Sequence, residues 1–417
     1  MFRHYALPLQ TCSELIVFSR FSFFGNVGRG KDWLSSFRNE GPVLCDFSTS
    51  RSDVCELKGA VRVLPNATIV LHHPLARRQS WRMKPHARKN DRHALARVTE
   101  VTVASSHATD HSVPRCTANH TAPAVIFSVG GYAGNMFHDL TDVLVPLFIT
   151  TRRFGGDVHL LVSDAQPWWL DKFWPLLRGL SRHDVVDMDR AGRGVLCYSH
   201  VIVGLEFHKE MSVDAARTAG EYSMADFALL ARRSYGLTRD TAIRLHGRPR
   251  LLLISRKSTR AFTNVGAIAR TATALGFDVV IGEPAQHGDL PSFARVVNSC
   301  DVLVGVHGAG LANLVFLPAG AVVVQVVPLG GLDAMAAEDF GAPARDAGLR
   351  YVHYRIAVAE STLARRYPLD HRVLRDPAAV RREGWMALRA AYLVGQNVTL
   401  DVRRFGVALR RAMELLR

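Results

Sequence analysis

The chain has no Cys-x-x-Cys pair. Its six cysteines (Cys12, Cys45, Cys55, Cys116, Cys197 and Cys300) are scattered, which argues against a zinc ribbon or a thioredoxin-type site. It is short of acid, with 37 Asp+Glu against 52 Lys+Arg and a formal net charge of +15. That balance suits a polyanion partner, an anionic substrate or simply a basic, soluble surface. It also lacks an unbroken apolar run of about 20 residues. The nearest stretch, "SELIVFSRFSFFG" at 13–25, is interrupted by Arg20 and serines and has no small-residue cleavage site, so neither a membrane anchor nor a signal peptide is expected in the chain as read. Residues 76–97 hold eight basic residues (Arg77, Arg78, Arg82, Lys84, Arg88, Lys89, Arg92, Arg97) against one Asp. With little aromatic interleaving they make a poor single-strand nucleic-acid platform, and read as an electrostatic strip for a nucleotide or acidic polysaccharide, or as a solvated face. "SVGG" lacks the second flanking glycine of a nucleophile elbow, which argues against a serine hydrolase.

What is present points to a globular α/β protein. At 417 residues and 48% hydrophobic content the chain has room for two domains with sizeable cores. Asn66 ("NAT"), Asn119 ("NHT") and Asn397 ("NVT") head N-glycosylation sequons. Cys45 and Cys55 are a candidate disulfide if the compartment is oxidising. Up to about residue 120 the pattern is irregular. Beyond it, apolar runs read as strands ("AVIFSV", "VHLLVS", "DVVDMD", "VIVGL") alternate with helical stretches such as "PWWLDKFWPLLRGL", the pattern of a parallel sheet covered on both faces. The paired Trp168 and Trp169 there read as core rather than a sugar-stacking platform.

A polar stretch at 238–250 reads as a linker. A second cycle then gives strands at "LLLIS", "DVVIG", "DVLVGV", "AVVVQVV" and "YVHYR" with helices between, a doubly wound unit of Rossmann type. In "VGVHGAGLANLVFLP" (304–318) a buried strand meets a sharp turn and a helix expected from about 309. Gly308 and Gly310 admit a ligand to the backbone, and His307 stands ready to donate to a phosphate oxygen. "LLLISRKSTR" sets Ser255, Arg256 and Lys257 at the end of the first strand of the same unit, as countercharge for a leaving diphosphate. In "GGYAGNMFHDLTDVLVPLF" (130–148), His138 and Asp142 share a helix face. They read as a proton-abstracting pair, or as a capping or interdomain ion pair. "DMD" at 187–189 has the form of a metal–diphosphate ligand but falls at a strand end in the wrong half.

Taken in order, "CDFSTSRSDVCELKGAVRV", "GGYAGNMFHDLTD", "LLLISRKSTRAFTN", "VVNSCDVLVGVHGAGLANLVFLPAG" and "VVVQVVPLGG" resemble the plant branch of glycosyltransferase family 61, over roughly residues 42–415. The similarity is greatest to grass members that decorate xylan. It implies two Rossmann-like domains facing a cleft (GT-B type), a Golgi-luminal location, and inverting transfer of a pentose, xylose or arabinofuranose, from a UDP-sugar to a xylan-type acceptor. Transfer of xylose to protein N-glycans and a non-catalytic glycan-binding protein are the rival readings. By resemblance Asn135, His138 and Asp142 match the acceptor-side block, with Asp139 beside them. Ser255 and Arg256 match the donor block, and His307, Gly308 and Ala309 its His-Gly-Ala; Gly310 and Lys257 join them from the residue reading. The base is His138 oriented by Asp142, or Asp142 itself. No cofactor and no metal are expected, and no nucleic acid. Gln325 stands where distant relatives carry an acidic residue that holds the ribose. The expected divisions are 1–40 as a stem or truncated start, 41–245 as the acceptor-side domain, 246–370 as the nucleotide-sugar domain, and 371–417 as helices packing back on the first domain. An anchor expected of the family is not visible here.

Overall fold

Parallel strands covered on both faces need apolar side chains on both, so they read as unbroken runs, and the second half of the chain is built from such runs. The computed structural model describes residues 43–417 apart from 75, 191, 193, 219, 243–246 and 284–288. The expected stem at 1–40, Cys12 and the apolar stretch at 13–25 lie outside the described residues.

Ten strands form the first sheet: β1 (Val43–Asp46), β2 (Val54–Val63), β3 (Thr68–His72), β4 (Gln79–Met83), β5 (Val101–Ser106), β6 (Ala118–His120), β7 (Ala124–Ser128), β8 (His159–Ser163), β9 (Val186–Asp187) and β10 (Leu196–Val203). The path runs β4-β5-β3-β2-β10-β7-β8-β9, with β1 beside β2 and β6 beside β10. The segment read as irregular therefore supplies six strands, β1–β6. The sheet is mixed rather than parallel, because β2 runs antiparallel to β1, β3 and β10. These outer strands carry exposed polar residues, as in β4, where only Met83 is buried, and that polarity hides them from a reading based on apolar runs. "DVVDMD" yields only the two residues of β9.

The second sheet is β11 (Arg250–Ile254), β12 (Asp278–Gly282), β13 (Val302–Val306), β14 (Val322–Val327) and β15 (Arg350–Arg355), all parallel in the order β12-β11-β13-β14-β15. That is a doubly wound order whose direction reverses between β11 and β13, where such sheets open a crevice at the strands' carboxyl ends. In the first sheet the chain likewise leaves β7 toward β8 on one side while β10 flanks the other. Residues following β7, β10, β11 and β13 are thus the ones the topology gathers at crevices.

A single apolar core joins the halves: Phe127, Phe148 and Trp169 from the first and Leu252, Leu303 and Phe316 from the second belong to one cluster. Helix Pro167–Leu180 presents Trp169, Phe173, Leu176, Leu177 and Leu180 to it at helical spacing, so Trp169 is core.

The carboxyl-terminal helices do not return to the first domain. Phe405, Leu409 and Ala412 of helix Val402–Leu415 bury against Val324, Val326 and Tyr354 of the second sheet. Val373, Val380, Leu388 and Tyr392 pack with Val327, Leu332 and Ala336. The nearest uncovered apolar face is that of their own sheet, and they cover it.

Cys45 and Cys55 are directly opposite in the β1–β2 register and are disulfide-bonded. A second disulfide, Cys116–Cys197, ties the approach to β6 onto β10. Asn66 and Asn119 are exposed, whereas Asn397 is half-buried and its Oδ1 accepts from Ala261 N at 2.9 Å.

Candidate active site

After β7 the chain turns into a short helix, Met136–His138, whose cap is Asn135 accepting from Phe137 N at 3.1 Å. It continues as a π-helical turn, Asp139–Leu144, a geometry that recurs at functional sites. His138 and Asp142 meet there: His138 Nδ1 donates to Asp142 Oδ2 at 2.9 Å, and both are almost fully buried. A carboxylate only accepts, so Nδ1 carries a proton, and in the neutral ring Nε2 keeps its lone pair. Nε2 makes no hydrogen bond among the described residues. The other oxygen of Asp142 accepts from Arg88 Nη1 at 2.9 Å and faces Arg51 Nη2 at 3.4 Å. Burial raises this carboxyl, but the charge of Arg88, with His138 and Arg51, outweighs it and holds the group far below the usual carboxylate range.

Arg88 itself is buried and also bonds Asp91 at 3.1 Å. The basic stretch at 76–97 is accordingly no free strip. Lys89 pairs with Asp53, Arg82 with Glu100, and Lys84 and Arg97 donate to the carbonyls of Leu95 and Gly131. Asp139 points elsewhere. It accepts from Gly134 N and Trp169 Nε1 and pairs with Lys172 at 3.3 Å, which makes it a brace between helices. Glu210, beyond β10, joins the cluster through Arg51 at 2.9 Å and Thr141 Oγ1 at 2.9 Å.

Across the Phe137–Phe340 ring pair (centroids 5.4 Å) lies the second half's contribution. His307 ends β13, and Gly308 follows with φ +145°, a backbone that an L side chain rarely adopts. A Cβ at Gly308 would meet Arg256 Nη1 at 2.7 Å and Arg260 Nη1 at 3.1 Å. Two guanidiniums therefore overhang the bare turn. The helix after it is 3-10 rather than α, Ala309–Phe316, with residues 311–316 buried. The N–H groups of Ala309 and Gly310 precede its first internal bond, Leu311 N to Gly308 O.

His307 is neutral. Burial, then the charges of Arg260 and Arg256, lower its pKa to about 3. Tyr351 OH donates to Gln325 Oε1 at 2.7 Å, which leaves Gln325 Nε2 to donate to His307 Nδ1 at 2.8 Å. His307 thus carries its proton on Nε2. Gln325 is fully buried on β14, so the ribose-holding position suggested for it is not where its side chain goes; it fixes the His307 tautomer instead. Lys257 is solvent-exposed and pairs with Glu283 at 2.6 Å. Ser255 donates its N–H to Gly282 O. In "DMD", Asp187 accepts from Asp189 N and Asp189 from Ala165 N, so both carboxylates are engaged by backbone.

The residues the sequence reading missed are Arg51, Arg88, Glu210, Arg260, Gln325 in its actual role, and Asp339, whose Oδ2 lies 3.8 Å from His307 Nε2. Arg51, Arg260 and Gln325 sat inside quoted stretches and Arg88 inside the basic run at 76–97, whereas Glu210 and Asp339 lay outside them. The cluster can take a proton from a hydroxyl at His138 Nε2 and, on the other side of Phe340, hold an anion at the Gly308 turn.

Residues 136–324 match the family model described as Glycosyltransferase 61, a span that holds both His138 and His307. The chain is 45% identical over 393 residues to an alpha-1,3-arabinosyltransferase of Oryza sativa subsp. japonica (93% of this chain, 67% of the relative). It is 40% identical over 407 residues to a beta-1,2-xylosyltransferase of the same plant (92% and 86%), and 33% identical over 389 residues to a xylan glycosyltransferase of Arabidopsis thaliana (88% and 78%). The chain spans about two thirds of the length of the rice arabinosyltransferases it matches. With this similarity running through most of its length, the chain belongs to glycosyltransferase family 61.

Proposed function

We propose that the chain is an inverting pentosyltransferase that moves xylose or arabinofuranose from a UDP-sugar onto a xylan-type polysaccharide. The observation that carries this reading is that Phe340 packs its ring against both Phe137, beside the His138–Asp142 dyad, and His307, beside the Gly308 turn under Arg256 and Arg260. The sugar and the acceptor come from the relatives, whose names specify arabinosyl or xylosyl transfer and xylan. Residues 41–245 serve the acceptor and 246–370 the nucleotide sugar, in a GT-B-like arrangement.

In this mechanism His138 Nε2 removes the proton of the acceptor hydroxyl as its oxygen attacks the anomeric carbon. The bond from that carbon to the diphosphate oxygen breaks, and the electron pair leaves with UDP. Asp142, kept ionised by Arg88 and Arg51, stabilises the imidazolium that forms. Arg256, Arg260, the N–H groups of Ala309 and Gly310, and the Nε2–H of His307 receive the charge growing on the leaving group. No step is assigned to a metal. A Golgi-luminal, oxidising setting suits the two disulfides and the exposed sequons at Asn66 and Asn119. Among the described residues no helix is long and apolar enough to cross a membrane.

The test is a donor screen: purified protein with UDP-xylose or UDP-arabinofuranose and xylohexaose, with and without EDTA, read by mass and linkage analysis. One added pentose, formed equally in EDTA, is the expected result. Transfer only to N-glycan acceptors would move the acceptor assignment, strict Mn²⁺ dependence would overturn the metal-free leaving step, and glycan binding without turnover of either donor would contradict the proposal.

A further inference from the structure

One carboxyl in the cleft is used by neither half of this mechanism. Asp339 stands on the π-helical turn Ala337–Gly341, between β14 and β15. The next residue, Phe340, packs its ring against Phe137 on the dyad side and against His307 on the turn side, at centroid distances of 5.4 and 5.6 Å. Asp339 Oδ2 is 3.8 Å from His307 Nε2, too far for a hydrogen bond. The carboxyl makes none among the described residues, although its side chain is only 18% exposed.

Its charged neighbours locate it. Burial first, then Glu210 and Glu338, push its pKa well up, against a smaller opposing pull from Arg88 and Arg51. Arg88 and Arg51 are the two residues that hold Asp142. By geometry Asp339 stands beside His307 on the leaving-group side, and its neighbour Phe340 reaches Phe137 on the dyad side. Its oxygens are not sealed from solvent, so a polar ligand can reach them in place of water.

The geometry of a single displacement says what that is. The anomeric carbon must sit between the diphosphate at the Gly308 turn and the hydroxyl at His138 Nε2, so the sugar ring occupies the gap that Asp339 borders. We propose that Asp339 binds hydroxyls of the transferred pentose and so helps determine which sugar the site accepts. A carboxyl spans two neighbouring ring hydroxyls, and its protonated form both donates and accepts without repelling the adjacent diphosphate. The inference rests on the UDP-pentose reading above and adds a specific recognition residue to it.

Titration calorimetry of UDP, UDP-xylose and UDP-arabinofuranose into the wild type, Asp339→Ala and Asp339→Asn tests it. UDP carries no pentose to transfer, so its Kd is expected to stay within about twofold in all three proteins, which also shows that the variants are folded. The UDP-pentose preferred by the wild type is expected to bind at least about tenfold more weakly to Asp339→Ala, because the sugar hydroxyls lose their partner. Asp339→Asn keeps a donor and an acceptor and loses less, about threefold, and it decides the matter should the Ala variant not fold. Equal weakening of UDP and UDP-pentose would place Asp339 in the phosphate site or the scaffold and overturn the proposal, as would unchanged UDP-pentose binding. If the wild type binds neither UDP-pentose, the donor reading itself falls and this one with it; if it does bind one, the variants judge Asp339 alone.

Discussion

At His307 the protonation state is set by surroundings rather than by the ring. Burial and the two arginines lower its pKa from 6.5 to about 3, while Gln325 places the remaining proton on Nε2. Between those values the unfolded chain takes up a proton that the folded chain refuses. The neutral ring's contribution to stability is therefore complete above 6.5 and is lost as pH falls toward 3. At pH 4.5 this amounts to about 3 kcal/mol. Urea unfolding at pH 7.0 and 4.5 checks it: His307→Gln should lose about 2–3 kcal/mol less on acidification than the wild type. Equal losses would mean that the folded ring is already charged. His86, His159 and His208 are lowered as well, so the variant keeps part of the wild-type acid sensitivity.

The turn from β13 into the 3-10 helix is the element on which the anion site depends. Gly308→Ala forces a side chain into a backbone at φ +145°, with its Cβ 2.7 Å from the end of Arg256. Because that contact is the flexible tip of a side chain, the guanidiniums move rather than the sheet. The expected outcome is UDP affinity lowered at least about tenfold, with a thermal midpoint only a few degrees lower; unchanged UDP binding would remove the turn from the donor site.

This turn, with β11, β13 and β14, was legible in the sequence because a strand buried on both faces must be apolar throughout, and glycine after it marks the close approach. The His138–Asp142 pair was legible from its four-residue spacing. Arg88 and Arg51, 54 and 91 residues from Asp142, were not. Their pairing is made by tertiary packing, and Arg88 was indistinguishable from its neighbours in a basic run. β1 and β4 escaped because they are half-buried or open to water, and β2, β3 and β5, although mostly buried, because they are short or broken by polar residues. Gln325 was legible only by comparison with the acidic residue of distant relatives, and its partner His307, on the turn after the neighbouring strand, shows in no sequence pattern.

For the molecule as a whole, one continuous core fixes the first sheet's dyad opposite the second sheet's turn, so that base and leaving-group site are held by a single packed body. The Cys116–Cys197 link across 81 residues and the carboxyl-terminal helix on the second sheet stiffen the two sides separately. The central claim is that proton removal belongs to one side and departure of UDP to the other. Turnover and UDP affinity of a folded His138→Gln protein separate the two. The account predicts transfer slowed about 10²–10⁴-fold with the UDP Kd within about twofold of wild type. Near-normal transfer by that variant would contradict it.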